Sequence, residues 1–377
     1  MIKNRVIEHI KNFGPVSYSE YMELCLYRFC DSYYRAQNPV GFHADFFTSP
    51  YLHPVFGSLI AVELFIMWDR LGKPDSFDIV ELGAGDGTLA IDILDYVQHI
   101  SNDFYDVVKY SCVEIRTSIR EHGDTHRGKI KFTDAQTVFN DPIYGCVLSN
   151  EFFDALPVHR VVRTEGGLHE IMVDWQGSEL IEVYVPLTNL EVANYIETWS
   201  INIPEGYIVE INTIAESMLN DASRMLKKGF VLTIDYGDIS DQLYGVSSRQ
   251  YGTIRSFKNN VQIANVLNNP GSQDITSHVN FTVLIEKGIQ QCLHLEEFIS
   301  QRKFLLDLGC GMMLKKLEES DLDRRTYILN KRRIDNLLDE KGLGDFKVLI
   351  QSKGHLDPNQ VSIQGLYERL KVPIFNT

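Results

Sequence analysis

The sequence predicts an α/β fold built on a parallel sheet, and three observations carry that reading. From residue 76 onward short apolar runs alternate with amphipathic stretches, the pattern of strands joined by helical crossovers. The first run, "FDIVEL" (77–82), is followed at once by the glycine-rich turn "GAGDG" (83–87) and then by a helical pattern. The composition is globular: 44% of the 377 residues are hydrophobic and 23% charged.

The elements follow in order. Residues 1–74 read as a helical N-terminal cap with a lid loop, "SYYRAQNPVGFHADFFTSP", crowded with aromatic and turn residues. Within it "VFGSLIAVELFIMW" (55–68) is apolar but only 14 residues long and carries Glu63, so it is a buried helix and too short to cross a bilayer. Residues 75–377 form the main domain. Its strands are 77–82, 110–115, 129–132, 145–150 and 229–237, and "FKVLIQSKG" (346–354) supplies one more as an antiparallel neighbour. After the first strand Leu89, Ile93 and Val97 recur every four residues and give a helix one apolar face for the sheet. Two insertions interrupt the domain, at about 160–205 and 238–288. The first alternates apolar and polar residues around Gly166, Gly167 and Gly177, as antiparallel ribbons do. The second holds "SFKNNVQIANVLNNPGSQDITSHVNF", a polar connection long enough to cover a site.

Charge and cysteine usage exclude several classes. A formal charge of −15 disfavours phosphate backbones, so nucleic acid is not expected as a partner; a basic protein segment fits better, or the charge serves solubility alone. The six cysteines form no CxxC pair, which argues against a zinc site and a disulfide framework, so no metal is expected. The N-terminal "MIKNRVIEHIKNFG" lacks the apolar stretch of a secretory signal, and a cytoplasmic location is expected.

The glycine turn is the first candidate site. Gly83, Gly85 and Gly87 strip the β-carbons from alternate positions, so a ligand can approach bare backbone, and the amides of the following helix start favour a negative group. Either that, or the turn serves strand-to-helix packing alone. The dinucleotide spacing G-x-G-x-x-G is not met, because Thr88 stands where its third glycine belongs. Glu81 ends the first strand and faces the ligand's amino-acid end, or is a solvated charge. Glu114, at the end of the second strand, can accept two hydrogen bonds from a ribose diol. Asp134, past the third strand, reaches an adenine amino group or is a plain loop aspartate.

The form E-x-G-x-G-x-G resembles the first motif of class I methyltransferases that bind S-adenosylmethionine. The resemblance sharpens at "NEFFDALPVHR" (150–160), where the chain looks like the MidA family. "GPVSYSEYMELCL", "DFFTSP", "VELGAGDGTLA", "VEINTIAESM", "GFVLTIDYG", "YGTIRSF" and "NPGSQDITSHVNF" match it in order. The resemblance implies a class I, Rossmann-like methyltransferase sheet with a cap and insertions, S-adenosylmethionine as cofactor, and methylation of an arginine on a protein such as a respiratory NADH dehydrogenase subunit. Two positions depart from it. "TSPYLHP" has Tyr51 where the family has an acid, and "SHVNF" has Asn280 where it has another. A small-molecule O- or C-methyltransferase, which those losses permit, and a non-catalytic assembly chaperone are the alternatives.

For guanidinium methylation, carboxylates must orient the nitrogen and a base must take its proton. The candidates are Glu151 as guanidinium ligand, Asp154 as its neighbour and His278 as proton relay, with His159 a second histidine and Asp235 and Tyr236 lining the acceptor pocket or simply turning the chain. Asn150, Thr48 and Ser49 are candidate donor ligands, the last two competing with turn-making. Tyr33, Tyr34, Phe46 and Phe47 form an aromatic lid over the donor or belong to the core.

Overall fold

The computed structural model describes residues 2–35, 48–116, 126, 128–258, 261–354, 356 and 363–375. Phe46 and Phe47 of the expected lid lie outside them. The chain divides into two compact units. One takes residues 47–151, 220–235 and 288–377; the other takes 1–46, 152–219 and 236–287.

The first unit is built on a sheet whose described strands are β1 (Phe77–Leu82), β2 (Val108–Val113), β3 (Ile130–Thr133), β4 (Ile143–Asn150), β5 (Leu226–Asp235), β6 (His294–Ser300) and β7 (Lys347–Lys353). Their order is β3-β2-β1-β4-β5-β7-β6. Strands β1 to β5 pair in parallel, while β7 runs antiparallel to both β5 and β6. The strand order reverses between β1 and β4, which places a topological switch point there; open α/β sheets bind ligands beyond the carboxyl ends of such strands. Strand β6 was not expected from the sequence. Its consecutive Glu296 and Glu297 break the alternation, and its register with β7 slips between Leu295 and Glu297.

Helix Val55–Arg70 is buried from Val55 to Val62 and packs in this unit rather than in an N-terminal cap, so the contact division does not fall at residue 74. Helix Thr88–Ile100 buries Leu89, Ile93 and Val97 as the spacing requires, with Ala90, Leu94, Tyr96 and Ile100 beside them. The two helices come close because Gly57 has no side chain: a Cβ there would stand 2.5 Å from the Cβ of Asp92. Each buried Leu or Ile of this core removes apolar surface worth roughly 1.5–3 kcal/mol.

The second unit holds the expected ribbons. His159–Thr164, Gly167–Gln176 and Glu179–Pro186 form an antiparallel meander turning at Gly166 and Gly177, with Ile208–Ile211 on one side. Helices Ile2–Phe13 and Tyr18–Leu26 bury Ile2, Val6, Ile10, Tyr21 and Leu24 in a core shared with Val162, Ile171 and Val173. Arg160, 5% exposed, is the polar centre of this unit. It donates to Glu210 Oε1 at 3.2 Å and Glu182 Oε1 at 2.6 Å, and Glu210 Oε2 accepts the Thr253 amide and hydroxyl. The polar connection of the second insertion is not a bare loop. Arg255–Lys258, Val261–Ile263 and Asp274–Thr276 make a small antiparallel sheet, because their backbones pair with one another despite the asparagine-rich sequence.

Candidate active site

Every donor-site candidate within the described residues falls in the sheet unit. Strand β1 ends in Glu81, 4% exposed, and the Tyr110 hydroxyl on β2 donates to its Oε2 at 2.8 Å. Burial pushes the Glu81 carboxyl up to about 8, opposed by that hydrogen bond and reinforced by Asp86 and Glu114. Asp86 and Glu114 thus favour the neutral, protonated form of Glu81. Asn150 lies two residues beyond Leu148, the β4 partner of Glu81 in the register, so it shares Glu81's face of the sheet.

Beyond β1 the glycines take left-handed backbone, φ 70° at Gly83, 60° at Gly85 and 85° at Gly87. They do different work. A Cβ on Gly87 would meet the Phe132 ring at 2.9 Å, so that position is bare for packing. A Cβ on Gly85 would make only ordinary contacts, with Arg116 Nη2 and Tyr51 Oη each at 3.8 Å, so that position is less crowded than Gly87 and is bordered by two polar side-chain ends. Asp86 Oδ1 accepts the Thr88 amide, the Thr88 hydroxyl and, at 2.6 Å, the Tyr51 hydroxyl.

Glu114 is already engaged. Its Oε2 accepts the Gly85 amide at 3.0 Å and lies 3.5 Å from Arg116 Nη2, while Oε1 accepts the amides of Ile115 and Arg116. Asp134 is exposed and caps the short helix Ala135–Val138, accepting the Thr137 amide at 2.9 Å and its hydroxyl at 2.8 Å.

The end of β4 is strained. Glu151 has φ 50°, a conformation an L-residue rarely adopts outside functional sites and turns, although its amide still reaches Ile234 O on β5 at 2.9 Å. Its Oε1 accepts the Ser49 amide and the Asn150 side-chain amide, both at 3.2 Å. The Asn150 Oδ1 atom is buried and has no hydrogen-bond partner. Thr48 and Ser49 are buried, and the Ser49 hydroxyl donates to Gln301 Oε1 at 3.4 Å.

Asp154 and His278 belong to the other unit. The Ser277 amide donates to the Asp154 carbonyl, the His278 amide to Thr253 Oγ1, and the His278 ring meets Tyr236 edge-on at 5.3 Å. His159 is buried against Glu170 Oε1 at 2.7 Å in the ribbon sheet, an ion-pair position. Asp235 is fully buried at the end of β5. Tyr33 and Tyr34 are core residues rather than a loose lid: Tyr33 is buried, and Tyr34 stacks on Tyr27 and donates to Asp274 Oδ1 at 2.7 Å. Asn280 is buried between the Ser240 and Tyr244 hydroxyls. Sequence reading missed Tyr110, Arg116 and Asp274. No local pattern marks them.

The comparisons decide the family. Residues 59–299 match the profile described as "Putative S-adenosyl-L-methionine-dependent methyltransferase". The chain belongs to that family. A crystal structure of a methyl transferase homologue from Burkholderia thailandensis, bound to S-adenosyl-homocysteine, superposes with a TM-score of 0.81 at 26% identity and covers 96% of each chain. The mitochondrial protein arginine methyltransferase NDUFAF7 of Xenopus tropicalis is 28% identical over 85% of this chain and 78% of its own. Its human counterpart is 27% identical over 89% and 79%. The chain is an S-adenosylmethionine-dependent methyltransferase with a class I sheet. These relatives are named as mitochondrial proteins, which overturns the cytoplasmic location expected from the sequence. Among the described residues no helix is long and apolar enough to cross a membrane.

The methyltransferase cleft fits its cofactor on two observations. The orphaned Asn150 Oδ1 needs a donor such as an ammonium group. Gly85, in left-handed backbone and flanked only by the polar ends of Arg116 and Tyr51, keeps the turn bare enough for a ligand to lie against backbone.

Proposed function

We propose that this methyltransferase modifies an arginine side chain of a protein, of the respiratory NADH dehydrogenase kind. The strained carboxylate at Glu151 carries the reading, and the substrate class named for its relatives supports it. A guanidinium offers two parallel N–H groups to a carboxylate, and that geometry presents the third nitrogen to an electrophile in a fixed direction. Glu151 is held by Ser49 and Asn150, so little reorganisation is needed when the substrate arrives. The donor supplies a methyl group on a sulfonium, and its transfer requires one guanidinium proton to leave.

In this reading Glu151 orients the guanidinium. Thr48, Ser49, Glu81, Gly83, Gly85, Gly87, Glu114, Asp134 and Asn150 hold the donor. Glu81 and Asn150 take its ammonium group, the glycine turn its backbone contacts, Glu114 the ribose and Asp134 the adenine. The test is incubation of the protein with methyl-labelled donor and an organelle lysate. Label recovered as methylarginine in a named peptide, and lost on Glu151→Gln, is the expected result. Label appearing in extractable small molecules instead refutes the arginine assignment.

A further inference from the structure

The turn Ser49–Leu52 and its next residue, His53, are fixed at more points than a surface turn needs. At its start the Ser49 amide is held by Glu151 Oε1 and the Ser49 hydroxyl by Gln301. In its middle the Tyr51 hydroxyl donates to Asp86 in the glycine turn. At its end the Leu52 carbonyl accepts Arg333 Nη1 at 2.8 Å. His53, fully buried, completes the set: its Nδ1 accepts the Val55 amide at 3.0 Å, so the proton sits on Nε2, which donates to Asn330 Oδ1 at 2.8 Å. Burial holds this imidazole down to about 4, so it stays neutral through the physiological range.

Asn330 is itself fully buried in helix Arg324–Leu337, and every hydrogen-bonding atom of its side chain is used. Oδ1 accepts both His53 and the Phe375 amide, at 2.8 and 2.7 Å; Nδ2 donates to the Thr326 and Phe375 carbonyls, at 2.8 and 3.2 Å. Phe375 is thereby bound through its main chain at both amide and carbonyl, and its ring lies under the Arg333 guanidinium at 3.9 Å. One asparagine therefore joins the segment that carries Ser49 and Tyr51 to residues near the chain's end. Such a junction is costly to leave half-made, because each unpaired buried group forfeits a hydrogen bond without regaining water.

We infer that His53 and Asn330 are positioning residues for the methyl donor, and that the backbone of Phe375 completes their action. They touch neither donor nor acceptor. They fix the 49–53 segment, so that Ser49 meets Glu151 and Tyr51 meets Asp86 on the two sides of the donor cleft. Tyr51 takes this part because its hydroxyl stands 3.8 Å from where a Cβ on Gly85 would lie and anchors on Asp86 as a neutral donor, where an acid would repel Asp86. Phe375 thus belongs functionally to the donor-binding apparatus although it is distant from it in sequence. This inference rests on the placement of the donor at the glycine turn.

The experiment is Asn330→Leu, which keeps the branched shape and removes all four bonds, beside Tyr51→Phe, which removes only the Asp86 bond. Both should raise the KM for S-adenosylmethionine about tenfold while kcat at saturating donor and the acceptor KM stay as in the wild type. A loss of kcat with donor KM unchanged, or equal rises in both KM values, overturns the inference. If Asn330→Leu does not fold, hydrogen–deuterium exchange on the unaltered protein decides. Adding S-adenosyl-homocysteine should slow exchange at 49–55 and at Phe375 together; protection of 49–55 with Phe375 unchanged overturns the link. Gly85→Val serves as control: retained donor binding there means the donor lies elsewhere, whereas lost binding with an unaffected Asn330→Leu refutes the positioning role alone.

Discussion

If Glu81 holds the donor's ammonium group as proposed, donor binding is a proton-linked event, and the size of the effect follows from the surroundings of Glu81. In the unliganded fold its carboxyl is pushed up to about 8 from an ordinary 4.5, first by burial and then by Asp86 and Glu114, with Tyr110 opposing. At pH 7 the protonated form therefore outweighs the carboxylate by about ten to one. An ammonium group seated beside Glu81 favours the carboxylate, so donor binding expels the proton, about 0.9 per donor at pH 7. Titration calorimetry at pH 7 in buffers of different ionisation enthalpy reads that number directly. Glu81→Gln should remove it, and the affinity, which in the wild type tightens by up to about tenfold per pH unit below 8, should flatten. The sign for the unliganded fold is opposite. The folded state keeps the proton up to about pH 8 while the unfolded chain releases it near 4.5, so the contribution of Glu81 to stability is full below 4.5 and is lost as pH rises through that window. The slope is at most about 1.4 kcal/mol per unit, and Glu81→Gln should remove it as well. Equal proton release from wild type and Glu81→Gln would refute the placement of Glu81 beside the donor's cation.

Four other substitutions have defined outcomes. Gly85→Val should abolish donor binding by filling the bare turn, while chemical denaturation shows a stability loss of only about 1–3 kcal/mol from the strained φ; unchanged binding in a calorimetric titration counts against the site. Glu151→Gln should cut kcat about a hundredfold or more and leave the donor Kd within a few-fold of wild type, measured by label transfer and by titration. Asp134→Ala should lose about 1 kcal/mol of stability as a missing helix cap, and a parallel rise in donor Kd would separate the adenine contact from the cap alone. Glu210→Gln should destabilise the ribbon unit by about 3–5 kcal/mol, since it leaves Arg160 short of a buried partner; guanidinium-induced unfolding followed by fluorescence reads the change.

What could be read in advance depended on whether a residue's role is local. Strands β1 to β5 and β7 announce themselves by apolar runs, and Glu81 and Glu114 by standing where such runs end. The edge strand β6 does not, since an edge tolerates the acidic pair Glu296 and Glu297 that a central strand would not. The second insertion reads as loop because its small sheet is held by pairing between segments such as Arg255–Lys258 and Asp274–Thr276, not by side-chain alternation. In the site, Tyr110 is the first residue of an expected strand, yet its bond to Glu81 depends on parallel register, which sequence does not display. Asn330 is invisible for the same reason on a larger scale: its partner His53 is 277 residues away. Tyr51 was visible only as a departure from the family pattern, and its bond to Asp86 gives that departure a physical role.

The chain leaves the sheet unit after Glu151 and again after Asp235, at the carboxyl ends of the neighbouring strands β4 and β5. Both exits adjoin the edge at which the switch point collects Glu81, Glu114 and Asn150. The insertions therefore begin within three residues of groups proposed for the acceptor: Glu151 and Asp154 at one exit, Asp235 and Tyr236 at the other. The first exit coincides with the left-handed backbone of Glu151, φ 50°. The residues proposed for the donor, by contrast, stand on elements whose core is the sheet itself.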